Sequence, residues 1–276
     1  MIALKDSFNQ NSQAVISRPA TDFPLDVARG LVQGFKVVNK FGNAPNGVQT
    51  TTTDIWTRSD AAATQQIWLA PTQQRIHAIV SSAAADAVGG TGAKSVTISG
   101  LIDWNTKEIT ETVTLTGQTP VNTVNPYVII HRMVANAQAT TTIIGVNAGL
   151  ITATAATNST ITAEIVAAKG QTQMAIYGIP STQDFYMTNF TFRVADTGAT
   201  VWVRGGIVVN SNPHEQTVGF VNKEVFGAVV VGSSAITNDY SVHYKISGPA
   251  IIKVQAIASA ADKDSSATFS GILVDK

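Results

Sequence analysis

From about residue 50 onward, apolar residues recur at every second position, the period of a strand with one buried face. In the segment 109–115, Ile109, Val113 and Leu115 occupy odd positions while every even position is threonine. That pairing predicts one buried and one half-wet face. The same alternation marks 95–98, 190–194, 242–246 and 252–256, and further strands are predicted over 75–80, 127–134, 150–155, 160–166, 173–179, 200–209, 217–225 and 267–274. Between them stand turn formers, among them Gly89-Gly90, Gly117, Gly170, Pro180 and Gly248-Pro249.

Strands spaced roughly ten residues apart, with almost no helical period, predict sandwiches or Greek-key barrels. Residues 171–276 hold about eight of them, the number a jelly roll needs. The expected fold is therefore all-β: two β-sandwich, jelly-roll-like domains, at 46–170 and 171–276, preceded by an extended N-terminal arm at 1–45. The boundary near 170 is soft, and one continuous sandwich is the alternative. The arm differs in character, with Asn, Gln and Ser at its tip, a short helix predicted over 25–35, and Gly, Asn and Pro turns through Gly47. Yet it carries Val15, Ile16, Phe23, Leu25, Leu31 and Phe35, more apolar residues than a solvated tail needs. These are the candidate assembly contacts; the plainer reading docks them on their own domain.

Composition sharpens this picture. The chain has 276 residues, of which 44% are hydrophobic but only 13% are charged, about half the roughly 25% usual for soluble domains. Lys plus Arg and Asp plus Glu number 18 each, for a formal net charge of +0. No overall positive field exists to hold a phosphate backbone or an anionic membrane, so neither nucleic acid nor membrane is an expected partner. A weakly charged surface suits burial against copies of the same chain. With Cys 0, disulfides and thiolate chemistry are excluded, and packing must supply stability. The opening residues lack an apolar core with a cleavage site, and no apolar run nears the roughly 18 residues of a membrane span. The expectation is a soluble product.

Motifs for chemistry are weak. Gly89-Gly-Thr-Gly-Ala-Lys-Ser95 resembles a phosphate-cradling loop, but Ala93 separates Gly from Lys and a strand follows where a helix is needed. It reads as a β-loop. His77, His131, His214 and His243 show no ligand spacing; His131, on a face with Ile129 and Met133, reads as a hydrogen-bonded core histidine. No G-x-S-x-G elbow is present. Asp262-Lys-Asp264-Ser-Ser266 lacks the glycine and glutamate of a helical calcium loop. Glu111, Arg193 and Arg204 are expected in structural ion pairs. The four tryptophans, Trp56, Trp68, Trp104 and Trp202, read as core or interface anchors rather than sugar platforms. No enzyme activity, cofactor or metal is expected.

Several stretches in order resemble structural proteins encoded by tailed phages, common among marine and cyanobacterial phages. They are Asn39-Lys-Phe-Gly42 with Asp54-Ile-Trp56, Gly92-Ala-Lys-Ser-Val-Thr-Ile98, the 109–117 segment, Gly145-Val-Asn-Ala-Gly149, Gly170-Gln-Thr-Gln-Met-Ala-Ile-Tyr177 and Gly271-Ile-Leu-Val-Asp275. The resemblance covers most of the chain from about residue 38. It departs at Ile176-Tyr-Gly-Ile-Pro180, where the commoner ending has Ala-Gly after a proline. It implies a virion component, made in the host cytoplasm. Expected partners are copies of itself and the major capsid or tail proteins of the particle. The expected location is the capsid, as a decoration, cement or minor capsid protein; a tail part or a receptor- or carbohydrate-binding module is the alternative.

Overall fold

The computed structural model describes residues 23–58, 67–71, 73–136, 147–156, 159–195, 200–214, 219–230 and 232–276. These are nearly all β, in small antiparallel sheets, with one short helix, α1 (Phe23–Ala28). In chain order the strands are β1 (Phe35–Val48), β2 (Thr53–Asp54), β3 (His77–Ser81), β4 (Ser95–Leu101), β5 (Ile109–Thr114), β6 (Val121–Asn122), β7 (Ile129–Asn136) and β8 (Ile151–Ala155). They continue with β9 (Ile161–Ile165), β10 (Ile176–Ile179), β11 (Gln183–Val194), β12 (Val201–Asn210), β13 (Val221–Val230), β14 (Ser234–Ser247), β15 (Ala250–Ala258) and β16 (Lys263–Asp275).

Two sheets enclose the larger core. One runs β1-β16-β11-β14 and the other β10-β15-β12-β13, with β2 added on β15. Their facing side chains, including Phe185, Phe190, Phe192, Phe269, Val203, Ile207 and Val254, form one buried cluster. The pairing is nested. Taking β1 and β10 through β16 as eight strands, the first pairs with the last, the second with the seventh, the third with the sixth and the fourth with the fifth. In β16 alternation alone selects the inward residues, Ala267, Phe269, Gly271 and Leu273, while Thr268, Ser270 and Ile272 between them are half-wet.

The chain between β1 and β10 builds the second core from two smaller sheets, β6-β3-β8-β9 and β5-β4-β7, around Ile79, Ile98, Leu101, Ile129, Met133 and Ile151. The two cores share a wall. In β10, Tyr177 and Ile179 face the larger core and Ile176 the smaller one; in β15, Ile252 and Ile251 divide likewise. A strand covered on both faces reads as a continuous apolar run, as Ile176-Tyr-Gly-Ile179 and Ala250-Ile-Ile252 do.

Two features of the N-terminal segment differ from the sequence expectation. The helix stops at Ala28 instead of reaching residue 35, because Gly30 takes a left-handed φ of 71°. Leu31 N–H then bonds Asp26 C=O at 2.9 Å and Gly30 N–H bonds Val27 C=O at 3.0 Å, the paired bonds that close a helix on a glycine. Residues 35–45, assigned to the arm, are strand, pairing from Phe35↔Val274 to Ala44↔Ser265. Gly42 is required there, since a Cβ would lie 2.3 Å from Ile55 O and 2.4 Å from Ala175 N.

Candidate functional site

Of the proposed assembly contacts, Val15 and Ile16 lie outside the described residues. The other four lie on α1, on the turn after it and at the start of β1. Phe23 stands edge-on to Phe35, ring centroids 5.5 Å apart, so α1 is held on β1, with Val27 buried beneath it. Phe23, Leu25 and Leu31 remain 49%, 52% and 52% exposed, and Val37 on β1 is exposed as well. Part of this segment thus docks on its own sheet and part faces outward.

A second outward surface escaped the sequence reading. Strands β13 and β14 are the last strands of their respective sheets, so among the described residues each presents an unpaired backbone edge. Their side chains meet: Glu224 accepts a hydrogen bond from Asn238 Nδ2 at 2.7 Å and one from Tyr240 Oη. Opposite Thr188 the β14 register jumps from Tyr244 to Asp239, and this bulge pushes Val242 out to 84% exposure. Val225 and Val221 on β13 are also exposed. The alternation that reveals a buried face says nothing about which strands end a sheet.

The buried carboxylates Asp86 and Asp54 are both engaged by the chain's own donors. In the glycine-rich loop, Asp86 Oδ1 accepts from Ala93 N and Ala148 N, each at 2.8 Å, and Oδ2 accepts from Ser81 Oγ at 2.6 Å and Gly149 N at 2.9 Å. The backbone N–H of Ala93 that a phosphate would need is occupied by the chain's own carboxylate. Asn147 completes this junction, donating to Gly149 C=O at 2.6 Å and accepting from Gly170 N at 3.0 Å. Asp54 and Lys253 form a fully buried ion pair, Nζ to Oδ2 2.7 Å, with further donation from Trp68 N at 2.7 Å and Gln255 Nε2 at 2.8 Å. Lys253 Nζ also lies 4.1 Å from the Phe220 ring centroid.

The ionisable residues singled out in the sequence do not converge. Glu111 accepts from Val124 N at 2.5 Å, Asn125 N at 3.1 Å and Tyr127 Oη at 3.2 Å, pinning a loop where an ion pair with arginine was expected. Arg204 instead lies over the Trp202 ring at 4.9 Å. Asp262 accepts from Gln49 Nε2 at 2.9 Å. His77 bonds Arg75 C=O at 2.9 Å through Nδ1, and its Nε2 has no partner among the described residues; burial pulls its pKa down to about 4. Trp56, Trp68 and Trp104 are buried, leaving Trp202 as the one tryptophan with an exposed ring. No group of three or more metal-ligating side chains occurs among the described residues, and no helix there is long and apolar enough to cross a membrane.

One cluster had no sequence signal because its parts lie far apart in the chain. At the seam between the two cores, His131 gives Nδ1–H to Glu108 Oε2 at 2.9 Å and takes Gly178 N–H on Nε2 at 3.2 Å. Those two bonds fix a neutral imidazole, and burial holds its pKa down. Lys36 pairs with Glu108 Oε1 at 2.6 Å, Lys40 donates to His131 C=O, and Arg132 donates to Asn39 C=O at 2.6 Å.

No family model matches the chain. No curated protein matches it either. Among solved structures it is similar to chains of infectious bursal disease virus. The Gt strain is 10% identical, with 88% of this chain and 73% of that chain covered and a TM-score of 0.24. The Gx strain is 10% identical, covering 87% and 72% at 0.24, and the VP2 subviral particle is 10% identical, covering 88% and 72% at 0.21. At such TM-scores the folds do not superpose, and the likeness carries no argument.

Proposed function

We propose that the chain is a structural component of a phage virion, working without a catalytic step and held by contacts with copies of itself and with the major capsid or tail proteins of the particle. The observation that supports this most is the nested strand pairing. Eight strands in the orders β1-β16-β11-β14 and β10-β15-β12-β13 follow the wrapping of a jelly roll, the two-sheet architecture of viral capsid and lectin domains. On this reading residues 49–175 are an elaboration inserted between the first and second strands. The ordered resemblance to tailed-phage structural proteins points the same way.

The working surfaces are the open edges of β13 and β14 and the exposed apolar side chains of α1 and of Val37. An uncovered edge offers a row of backbone donors and acceptors to another chain, and nothing along β14 blocks it with proline. Few charges and no net charge let such faces close on copies without large repulsion. The favoured place is the capsid surface, as decoration, cement or minor capsid protein. A glycan- or receptor-binding role is the second reading, favoured by Trp202, whose exposed ring carries the Arg204 guanidinium over it at 4.9 Å.

Quantitative mass spectrometry of purified particles tests the proposal. Many copies per particle are expected; a few copies move the chain to the tail, and its absence from intact particles overturns the virion role.

A further inference from the structure

The seam cluster holds an imbalance that the fold does not resolve. Lys40 is 3% exposed, on the inward face of β1 between Val38 and Gly42. Its ammonium has three donors and among the described residues makes one hydrogen bond, to the His131 carbonyl. The nearby carboxylate, Glu108, is already engaged by Lys36 at 2.6 Å and His131 at 2.9 Å, with Tyr177 Oη at 3.5 Å. Arg132, held on Asn39 C=O, adds a second positive charge that opposes Lys40. These groups line a cavity of about 250 Å³ with Ser99 on its wall. It therefore carries three cationic side chains to one carboxylate, with a neutral histidine.

A buried ammonium whose nearest carboxylate is already paired with other groups has two ways to relieve its desolvation: it loses its proton, or it recruits an anion. Burial, reinforced by Arg132 and opposed by Glu108, lowers the Lys40 pKa to about 7. At about 30 Å³ per water, the space holds several waters or one small anion with part of its hydration shell. The unfilled donors of Lys40 point the choice toward an oxygen acceptor.

We infer that this cavity is a binding site for a small oxyanion, a carboxylate or a phosphate, with Lys40 Nζ as the buried anchor and Arg132 and Lys36 completing the positive wall. Glu108 holds Lys36 and His131 in place, so the anion is met by donors already oriented. Binding requires Lys40 charged, so affinity falls as pH rises from 7 to 9. Among the facing groups, Glu108 remains ionised, His131 neutral and Tyr177 protonated over that range, which leaves Lys40 as the titrating partner.

Titration calorimetry on the full chain tests this with succinate and inorganic phosphate as probes, against chloride at equal ionic strength. The expected result is one saturable site per chain for at least one probe, with succinate affinity, if that probe binds, at least tenfold weaker at pH 9 than at pH 7. Binding by succinate alone assigns carboxylates, and by phosphate alone assigns phosphates. Lys40→Met should weaken binding at least tenfold, and Arg132→Gln, at a half-buried position, at least threefold. No saturable binding of either probe, or undiminished affinity in Arg132→Gln, overturns the site even if Lys40→Met fails to fold.

Discussion

Replacing Lys253 with methionine is expected to destabilise the fold by about 3–5 kcal/mol, the usual result of removing one partner from a buried ion pair. Both members are withdrawn from water, Lys253 at 2% exposure and Asp54 at 0%. In Lys253→Met the Asp54 carboxylate keeps two neutral donors, Trp68 N at 2.7 Å and Gln255 Nε2 at 2.8 Å, but loses its counter-charge at 2.7 Å. For a chain of this size about 2–4 °C per kcal/mol is expected, so the midpoint should fall by roughly 6–20 °C. Urea unfolding followed by tryptophan fluorescence reads the effect directly, since Trp68 is itself tied to Asp54. A double-mutant cycle with Asp54→Asn should show strong coupling, and Asp54→Leu with Lys253→Met should recover much of the loss because two apolar side chains need no charge compensation. A loss under about 1 kcal/mol for Lys253→Met, or strictly additive single changes, would refute the reasoning.

Asp86→Asn sets an amide against four donors that now converge on a carboxylate, and thermal unfolding should show a loss of about 3 kcal/mol or more. Gly42→Ala forces a Cβ against backbone at 2.3 Å and should cost about 1–3 kcal/mol or more, whereas Gly30→Ala meets no atom within 4 Å and should cost only about 1 kcal/mol, from its positive φ. His77 has a folded pKa near 4 against 6.5 in the unfolded chain. Between those values the unfolded chain holds the extra proton, so stability is full above pH 6.5 and falls toward pH 4 by up to roughly 1.4 kcal/mol per pH unit; His77→Gln should flatten that slope in urea titrations. Removing residues 1–34 should leave the far-ultraviolet circular dichroism of the sheets intact while reducing incorporation into particles, whereas removing 1–45 should abolish folding because β1 is lost.

Strands that bury one face and wet the other were legible from period alone, so 109–115 is found as Ile109–Thr114 and 95–98 lies within Ser95–Leu101. Strand β1 was not legible. Its second half, Phe-Gly-Asn-Ala-Pro-Asn-Gly-Val, has turn composition, and it is accommodated as an end strand whose register breaks between Ala44 and Val48, around Pro45. Missing β1 also hid the Lys40 cluster: once 35–48 is strand, Lys40 falls on the inward face with Val38, where a cation signals an unusual site. The partners Glu108, His131 and Tyr177 come from three other segments, and no local spacing joins them. Asp86 gives no signal beside the adjacent glycines, because a short acidic side chain in a loop does not reveal how many backbone donors it gathers.

The nested pairing also dictates a timetable. Phe35 meets Val274 and Lys40 meets Phe269, so the contacts that finish the first sheet span nearly the whole polypeptide, and high contact order slows their formation. During synthesis β1 must wait, unsatisfied, until residues 263–275 leave the ribosome, while the intervening small sheets are already able to collapse. Newly made chains therefore pass through a stage with an orphan strand, and crowding them at that stage favours exchange of β1 between neighbours over closure within one chain.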